Sequence, residues 1–273
     1  MASNKISKGG VSAQNRKSQF VAEEPKDASG KMYHIGLGKS EVGTIALLPG
    51  DPGRVPRIAE FFDRGKELNT HREYCSYGGY VGRRYVVAIS TGIGAPSTAI
   101  VIEELARLGV KTMIRIGTCG SISREADVGS LIVADSAVRL DGTTPHYIMK
   151  EYPAAATPEV TIALKESAME LNNKVTVGTT ASSDSFYVGQ GRSGYNSYMP
   201  ENSASLVKTL QDSNVKCFEM EASALFTLGR IYGIRTGAIF AVIANRITKR
   251  FVVDAGVNDA IKTVIMAIKE EKF

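Results

Sequence analysis

The stretch Thr44-Ile-Ala-Leu-Leu-Pro-Gly-Asp-Pro-Gly-Arg54 decides the fold class of this chain. Residues 44–48 predict a short buried strand, because a continuous, mainly apolar run of that length is typical of a strand covered on both faces. Proline and glycine then mark a turn, and a helical pattern follows over residues 54–62. A strand, a glycine turn and a helix in succession are the building unit of α/β proteins.

The same alternation continues to the end of the chain. Further strands are predicted at 85–90, 112–116, 130–134 and 236–244, and further helices at 97–108, 158–171, 221–232 and 258–271. Because the composition does not break, residues 32–273 are predicted to form a single α/β domain with a central mixed β-sheet flanked by helices. Residues 1–31 are rich in Lys, Ser, Gly and Asn and lack apolar periodicity, which predicts a disordered N-terminal extension.

Composition narrows the class of protein. The 273 residues are 43% hydrophobic and 22% charged, as in soluble globular proteins. No apolar run approaches the roughly 20 residues that span a bilayer, and the N-terminus does not resemble a secretory signal. Cys75, Cys119 and Cys217 have no paired or metal-like spacing, so we expect a cytoplasmic location. The net charge of +5 comes without a dense basic run, which argues against nucleic acid and leaves room for an anionic substrate.

Three predicted strands run into glycine turns. The turns are Pro49-Gly-Asp-Pro-Gly-Arg54, Thr91-Gly-Ile-Gly-Ala-Pro-Ser97 and Gly117-Thr-Cys-Gly-Ser121. In open α/β sheets ligands collect outside the carboxyl ends of strands, and glycine lets backbone N–H groups approach an anion closely. Two guanidinium groups, Arg54 and Arg115, and the Thr118 hydroxyl accompany these turns. Together they predict a phosphate cradle.

A pair of carboxylates follows in Phe218-Glu-Met-Glu-Ala-Ser223. At alternating spacing, Glu219 and Glu221 face one side of an extended segment. Two carboxylates aimed at one spot suit the neighbouring hydroxyls of a ribose, and Met220 offers a soft apolar surface for the sugar. From these residues alone, a solvated strand end or a helix N-terminus is the more common interpretation of such a pair.

The segment 182–192 contains a second recognition pattern. Gln190 offers a donor and an acceptor, and Arg192 offers forked donors. This pair suits a heterocycle that carries an N–H between two carbonyls, and Phe186 suits stacking on its face. A surface turn with an exposed arginine is the alternative interpretation.

Nine motifs in order, from about residue 32 to the C-terminus, resemble the hexameric class of the nucleoside phosphorylase family, on its uridine-cleaving branch. They are His34-Ile-Gly-Leu37, Pro49-Gly-Asp-Pro-Gly-Arg54, His71-Arg-Glu73, Ser90-Thr-Gly-Ile-Gly-Ala-Pro-Ser97, Arg115-Ile-Gly-Thr118, Val138-Arg-Leu-Asp-Gly142, Phe186-Tyr-Val-Gly-Gln-Gly-Arg192, Phe218-Glu-Met-Glu221 and Ile243-Ala-Asn-Arg246. Chance agreement over so many ordered blocks is negligible.

The resemblance implies a role for each matching residue. Phosphate is bound by Gly50, Arg54, Arg115 and Thr118, with Arg72 supplied by a neighbouring subunit. Ribose is bound by Glu219, Met220 and Glu221, and by His34, which reaches across a dimer interface toward the 5′-hydroxyl. The base is bound by Phe186, Gln190, Arg192 and Arg246. The catalytic set is Arg115, Gln190, Arg192 and Glu221.

The implied reaction is the reversible phosphorolysis of uridine to uracil and α-ribose 1-phosphate, a pentosyl transfer in pyrimidine salvage. No cofactor is required and phosphate is the co-substrate. Some family members hold a monovalent cation, K⁺, between subunits at the positions of Glu73, Ile93 and Ser97. The resemblance also implies a homo-oligomer built of dimers, expected to be a hexamer.

Three other functions remain open at this point. Purine nucleoside phosphorylases of the same fold place an aspartate near Arg246, where this chain has Asn245-Arg246 and no acid. A catalytically silent nucleoside-binding protein is a second alternative. A nucleosidase that uses water is a third, and the phosphate-type arginines argue against it.

Overall fold

The computed structural model of the protein describes residues 22–273. Its strands are β1 (Ile45–Leu48), β2 (Asp63–His71), β3 (Tyr74–Val81), β4 (Arg84–Ile89), β5 (Thr112–Ser121), β6 (Leu131–Leu140), β7 (Ala154–Ala155), β8 (Val175–Ser183), β9 (Cys217–Glu219), β10 (Arg235–Asn245) and β11 (Arg250–Phe251). Its α-helices are α1 (Arg54–Ala59), α2 (Ala95–Leu108), α3 (Pro158–Glu170), α4 (Glu201–Asp212), α5 (Ala222–Tyr232) and α6 (Val257–Lys269).

The strands form one mixed sheet in the order β11-β10-β6-β8-β9-β5-β1-β4-β3-β2, with β7 beside β6. Strand β10 also pairs with β5, so β10, β6, β8, β9 and β5 close into a ring from which β1, β4, β3 and β2 extend as a sheet. Neighbours β4, β1, β5 and β10 are parallel, whereas β9 is antiparallel to β5 and β6 is antiparallel to β10. The mixed sheet predicted from the sequence is confirmed.

Helices cover the sheet on two sides, which makes the central strands β1, β5 and β10 almost continuously buried. On one side, Ile102 and Leu105 of α2 join Leu225 and Phe226 of α5 in a core cluster. A second cluster contains side chains of α1, α3 and α6. This burial on both faces explains why the central strands are apolar runs rather than alternating patterns.

The central strands and helices lie where the sequence predicts them, whereas several peripheral elements were not predicted. The helix predicted at 97–108 begins two residues earlier, at Ala95, with Pro96 in its first turn, where the missing N–H costs nothing. The sequence did not predict β2, β3, β7, β8, β9, β11 or α4. Strand β2 is mostly exposed and polar, and it is held at the edge of the sheet by pairing with β3.

The N-terminal part is described from residue 22. Residues 22–31 form turns, with an isolated bridge between Lys26 and Met32 and a hydrogen bond from Lys31 Nζ to Glu41 Oε1 of 2.7 Å. Residues 1–21 lie outside the described part of the chain, so the disorder predicted for the extension stays a prediction. Within residues 22–273, none of the helices combines the length and the apolar character that a membrane crossing requires.

Candidate active site

A cavity of about 980 Å³ opens where β1, β4 and β10 end. Most of the site residues predicted from the sequence line it, although they come from segments far apart in the chain. They are Gly50, Arg54, Glu73, Ile93, Ser97, Arg115, Thr118, Phe186, Gln190, Arg192, Glu219, Met220, Glu221 and Arg246. The two exceptions are His34 and Arg72, which the cavity lining does not include.

One end of the cavity carries two buried arginines. Arg115 on β5 donates from Nε to Glu219 Oε2 at 3.3 Å and from Nη2 to Glu221 Oε2. Arg54, at the start of α1, donates from Nη1 to the carbonyl of Ile116 at 3.3 Å. Within the described residues, Arg115 Nη1 and Arg54 Nε are buried without a hydrogen-bond partner. Burial lowers the pKa of Arg54, and the neighbouring charge of Arg115 lowers it further.

Close packing at this end depends on glycine. A Cβ atom on Gly50 would lie 3.3 Å from the carbonyl oxygen of Gly92 and 3.7 Å from Arg115 Nη1. A Cβ atom on Gly117 would meet the Phe240 ring at 2.7 Å, and it would lie 3.2 Å from Arg115 Nε. A side chain at position 117 would therefore clash with the Phe240 ring and crowd Arg115, whereas one at position 50 would occupy space beside Arg115 Nη1.

The carboxylate pair adjoins the arginines. Glu221 immediately precedes α5, and its Oε1 accepts a hydrogen bond of 2.7 Å from the backbone N–H of Gly94. Gly94 has φ of +92° at the start of α2, a backbone conformation that favours glycine. Glu221 Oε2 accepts from Arg115 Nη2. One carboxylate thus joins the N-termini of two helices to β5.

Glu219 is more enclosed than Glu221. Its Oε1 accepts from the hydroxyl of Ser182, and its Oε2 accepts from the backbone N–H groups of Glu221 and Ala222, each at 2.9 Å, and from Arg115 Nε. Burial raises the pKa of the Glu219 carboxyl, whereas the positive charge of Arg115 acts in the opposite direction. Met220, between the two acids, is half-buried and lines the cavity.

The other end of the cavity is cationic and aromatic. Arg192 Nη1 donates to Gln190 Oε1 at 2.6 Å and to the carbonyl of Phe186 at 2.7 Å, and its guanidinium carbon lies 4.2 Å from the centre of the Phe186 ring. Arg246 donates to the carbonyls of Gln190 and Gly191, the latter at 3.0 Å. Burial, together with the nearby charge of Arg246, lowers the pKa of Arg192.

The sequence prediction missed several cavity residues. They are Asp51, Pro52, Gly92, Cys119, Gly120, Phe218, Ile243, Ala244, Asn245, Lys249, Arg250 and Phe251. The last three belong to a hairpin of β10 and β11, where Phe251 pairs with Ala244. The rule that ligands collect at the carboxyl ends of parallel strands pointed to the end of β10 and so to this hairpin.

His34 and Arg72 lie outside the lining of the cavity. His34 Nδ1 lies 2.6 Å from Glu104 Oε1, and the guanidinium of Arg72 lies 5.8 Å from the centre of the Tyr33 ring. At the positions predicted for a monovalent cation, Ser97 Oγ donates to Glu73 Oε1 at 3.0 Å, and Ile93 is 78% exposed. The cation, and the role of each residue in this site, stay predictions.

The cavity thus combines two buried arginines and a pair of buried carboxylates with a cationic, aromatic end. The family model described as "Phosphorylase superfamily" matches residues 44–269. The chain belongs to the phosphorylase superfamily.

Relatives in this superfamily cover most of the chain. A uridine phosphorylase of Thermococcus kodakarensis is 48% identical over 234 residues, which are 85% of this chain and 84% of the relative. A uridine phosphorylase of Haemophilus influenzae is 44% identical over 218 residues, 79% of this chain and 86% of the relative. A guanosine phosphorylase of Halorubrum lacusprofundi is 36% identical over 215 residues, 79% of this chain and 84% of the relative.

Proposed function

We propose that the protein acts as a uridine phosphorylase, a pentosyltransferase that converts uridine and phosphate reversibly into uracil and α-ribose 1-phosphate. One observation carries this proposal: Arg54 Nε and Arg115 Nη1 are buried beside the cavity without a partner in the described structure. An unpaired buried donor costs free energy. A phosphate at this end supplies the missing acceptors, and the flanking carboxylate of Glu221 suits a ribose hydroxyl.

The geometry supports an inverting displacement without a cofactor. Phosphate is held by Arg54, Arg115, Thr118 and the Gly50 turn, and the ribose lies over Met220 and Glu221. A phosphate oxygen forms a bond to C1′ on the face opposite the base. The C1′–N1 bond breaks, and its electron pair leaves with uracil. The phosphate dianion stabilises the oxocarbenium-like transition state electrostatically.

The base end favours a leaving group that departs as an anion. Gln190 Oε1 lies beside Arg192 Nη1, which places an acceptor next to a donor. Uracil presents carbonyl, N–H and carbonyl in a row, so the amide binds one carbonyl and the N–H, and Arg192 binds the other carbonyl. The negative charge that develops on uracil faces Arg192, which stabilises the transition state more than bound uridine.

Purine phosphorolysis is the second candidate, because the Halorubrum relative is named a guanosine phosphorylase. The side chain of Asn245, near the position where purine enzymes of this fold place an acid, is already engaged. Its Nδ2 donates to the carbonyls of Ser123 and Ala126, at 3.1 and 2.9 Å, and its Oδ1 accepts from two backbone N–H groups. An amide in this position cannot protonate a purine, which supports the uridine assignment.

Base release from uridine, cytidine, inosine, guanosine and thymidine, each with and without phosphate, tests the proposal. We expect uracil release from uridine that requires phosphate, weaker cleavage of thymidine, and rates on cytidine, inosine and guanosine lower by orders of magnitude, because a mismatched edge leaves buried polar groups unpaired. Faster cleavage of inosine or guanosine establishes the purine alternative. Release without phosphate establishes a nucleosidase, and binding without release a silent nucleoside-binding protein.

We further propose that the active form is a cytoplasmic homo-oligomer built of dimers, a hexamer, with K⁺ at its interface. Two observations support this assembly. His34 and Arg72 do not line the cavity of their own subunit, and Glu73 and Ser97 lie at its edge together with the exposed Ile93. All three cysteines are free and buried, in keeping with a reducing compartment.

A further inference from the structure

We propose that Glu219 and Ser182 are positioning residues that hold Arg115 and the start of α5 in place, and that Glu219 is not a ligand of the ribose. This role rests on the proposed function. It differs from the sequence-based expectation, in which Glu219 binds ribose together with Met220 and Glu221.

The carboxylate of Glu219 already accepts four hydrogen bonds from the protein, three of them at Oε2. Oε1 accepts the Ser182 hydroxyl, and Oε2 accepts three donors: Arg115 Nε at 3.3 Å and two backbone N–H groups at 2.9 Å. The side chain is 1% exposed. A ribose hydroxyl directed at Oε2 would have to displace one of these three donors inside the protein and leave it unpaired, which costs free energy.

Two of these donors belong to the start of α5. They are the N–H groups of Glu221 and Ala222, which have no acceptor within the helix because they lie in its first turn. Glu219 therefore acts as a capping carboxylate for α5. Through this cap it fixes the backbone of Glu221, whose own carboxylate remains beside the cavity.

A buried chain of hydrogen bonds supports Glu219 from behind. The Ser182 hydroxyl donates to Glu219 and accepts the backbone N–H of Ser223 at 2.9 Å. The Ser223 hydroxyl donates to Asp141 Oδ2 at 2.7 Å. Asp141 Oδ1 also accepts the backbone N–H groups of Thr143 and Thr144, at 3.0 and 2.6 Å. The chain thus links the segment after β6 to β8, β9 and α5.

Glu219 also fixes the orientation of the Arg115 side chain. Its planar guanidinium meets Glu219 at Nε and Glu221 at Nη2, so its rotation is fixed and Nη1 is left for an external anion. If Glu219 lost its negative charge, Arg115 would be free to turn toward Glu221 alone. Phosphate binding would then weaken, although neither Glu219 nor Ser182 touches phosphate.

Glu219→Gln and Ser182→Ala test this role, with Glu221→Gln for comparison and Glu166→Gln, on the exposed face of α3, as a matched control. Calorimetric titration with inorganic phosphate, without nucleoside, is expected to show affinity lowered about tenfold in Glu219→Gln, less in Ser182→Ala and not at all in Glu166→Gln. The ratio of kcat/KM for uridine to that for 2′-deoxyuridine is expected to stay within about twofold of the unsubstituted protein in Glu219→Gln and to fall in Glu221→Gln.

The outcomes separate the two roles. Unchanged phosphate affinity in both Glu219→Gln and Ser182→Ala overturns the positioning role. Loss of the preference for the 2′-hydroxyl in Glu219→Gln, with phosphate affinity retained, makes it a ribose ligand instead. If Glu219→Gln does not fold, Ser182→Ala alone decides, because it keeps the carboxylate. If the unsubstituted protein binds phosphate but releases no uracil, the proposed function fails while the comparison of phosphate affinities still stands.

Discussion

At the scale of single residues, Arg115 joins the two buried arginines to the carboxylate pair at one end of the cavity. Its three guanidinium nitrogens have different surroundings: Nε and Nη2 face carboxylates, whereas Nη1 is buried without a partner in the described structure. Arg115 and Arg54 are positively charged groups, and Glu219 and Glu221 are negatively charged ones, so the four side chains together have no net charge. An entering phosphate dianion therefore needs the directed donors of this residue, because the net charge of the group does not attract it.

Arg115→Ala is expected to weaken phosphate binding by about 1.5–3 kcal/mol or more, the range of a charge-assisted hydrogen bond. The phosphate KM should rise by at least about tenfold, and turnover should fall, because Glu221 also loses its partner. Steady-state kinetics with phosphate varied at saturating uridine measures both. Arg107→Ala, on the exposed side of α2, is the matched control. Unchanged KM and kcat would assign Arg115 a purely structural role.

At the scale of elements, the hairpin of β10 and β11 shapes the base end of the cavity. Arg246, Lys249 and Phe251 line the cavity from this hairpin, and Arg246 binds the carbonyls of Gln190 and Gly191. The hairpin is in turn tied to Asp127, whose carboxylate accepts Arg250 Nη1 at 3.0 Å. The hairpin is thus supported by an acid outside the cavity lining.

Asp127→Ala is expected to raise the KM for uridine a few-fold and to leave the KM for phosphate unchanged. The thermal midpoint should change little, because exposed ion pairs stabilise proteins weakly. Glu170→Ala, which removes an exposed carboxylate that pairs with Lys272, is the control. A phosphate KM that rises together with the uridine KM would show that the substitution disturbs the whole site.

The interaction between Asp127 and Arg250 depends on pH in a defined direction. The backbone N–H of Val128, and then Thr248 and Arg250, lower the pKa of Asp127. Because the carboxyl pKa is lowered, the stabilising contribution of ionised Asp127 is fully present above its pKa in the unfolded chain. This contribution is lost as the pH falls through the pKa of Asp127 in the folded protein. The difference in the KM for uridine between Asp127→Ala and the unsubstituted protein should therefore persist at neutral pH and disappear in acid.

At the scale of the whole molecule, the proposed oligomer can be tested by mixing subunits that carry different substitutions. If Arg72 completes the site of a neighbouring subunit, Arg72→Ala and Arg115→Ala subunits should each be inactive alone. Co-expressed, they should recover about a quarter of the activity, since half of randomly paired dimers are mixed and each mixed dimer has one intact site. Light scattering gives the oligomeric state. An active monomer, or no recovery in mixed dimers, would contradict the shared site.

The sequence alone was sufficient to predict the α/β class, the central helices and about half of the residues that line the cavity. Strand length, helical period and glycine turns are local properties, so each is readable within a short window. Arg54 and Arg115 also stand next to such turns, which is why their grouping at the strand ends was predictable.

The closure of the sheet and the partners of each polar atom in the site emerge only from the folded structure. The ring closes because β10 pairs with both β5 and β6, and the partners of Arg115 lie 104 and 106 residues away along the chain. Pairings over such distances are selected by the burial of whole faces and by the satisfaction of buried donors, neither of which a local pattern encodes. The sequence identified Glu219 as part of the site, whereas the packed structure shows that its carboxylate accepts four hydrogen bonds from the protein.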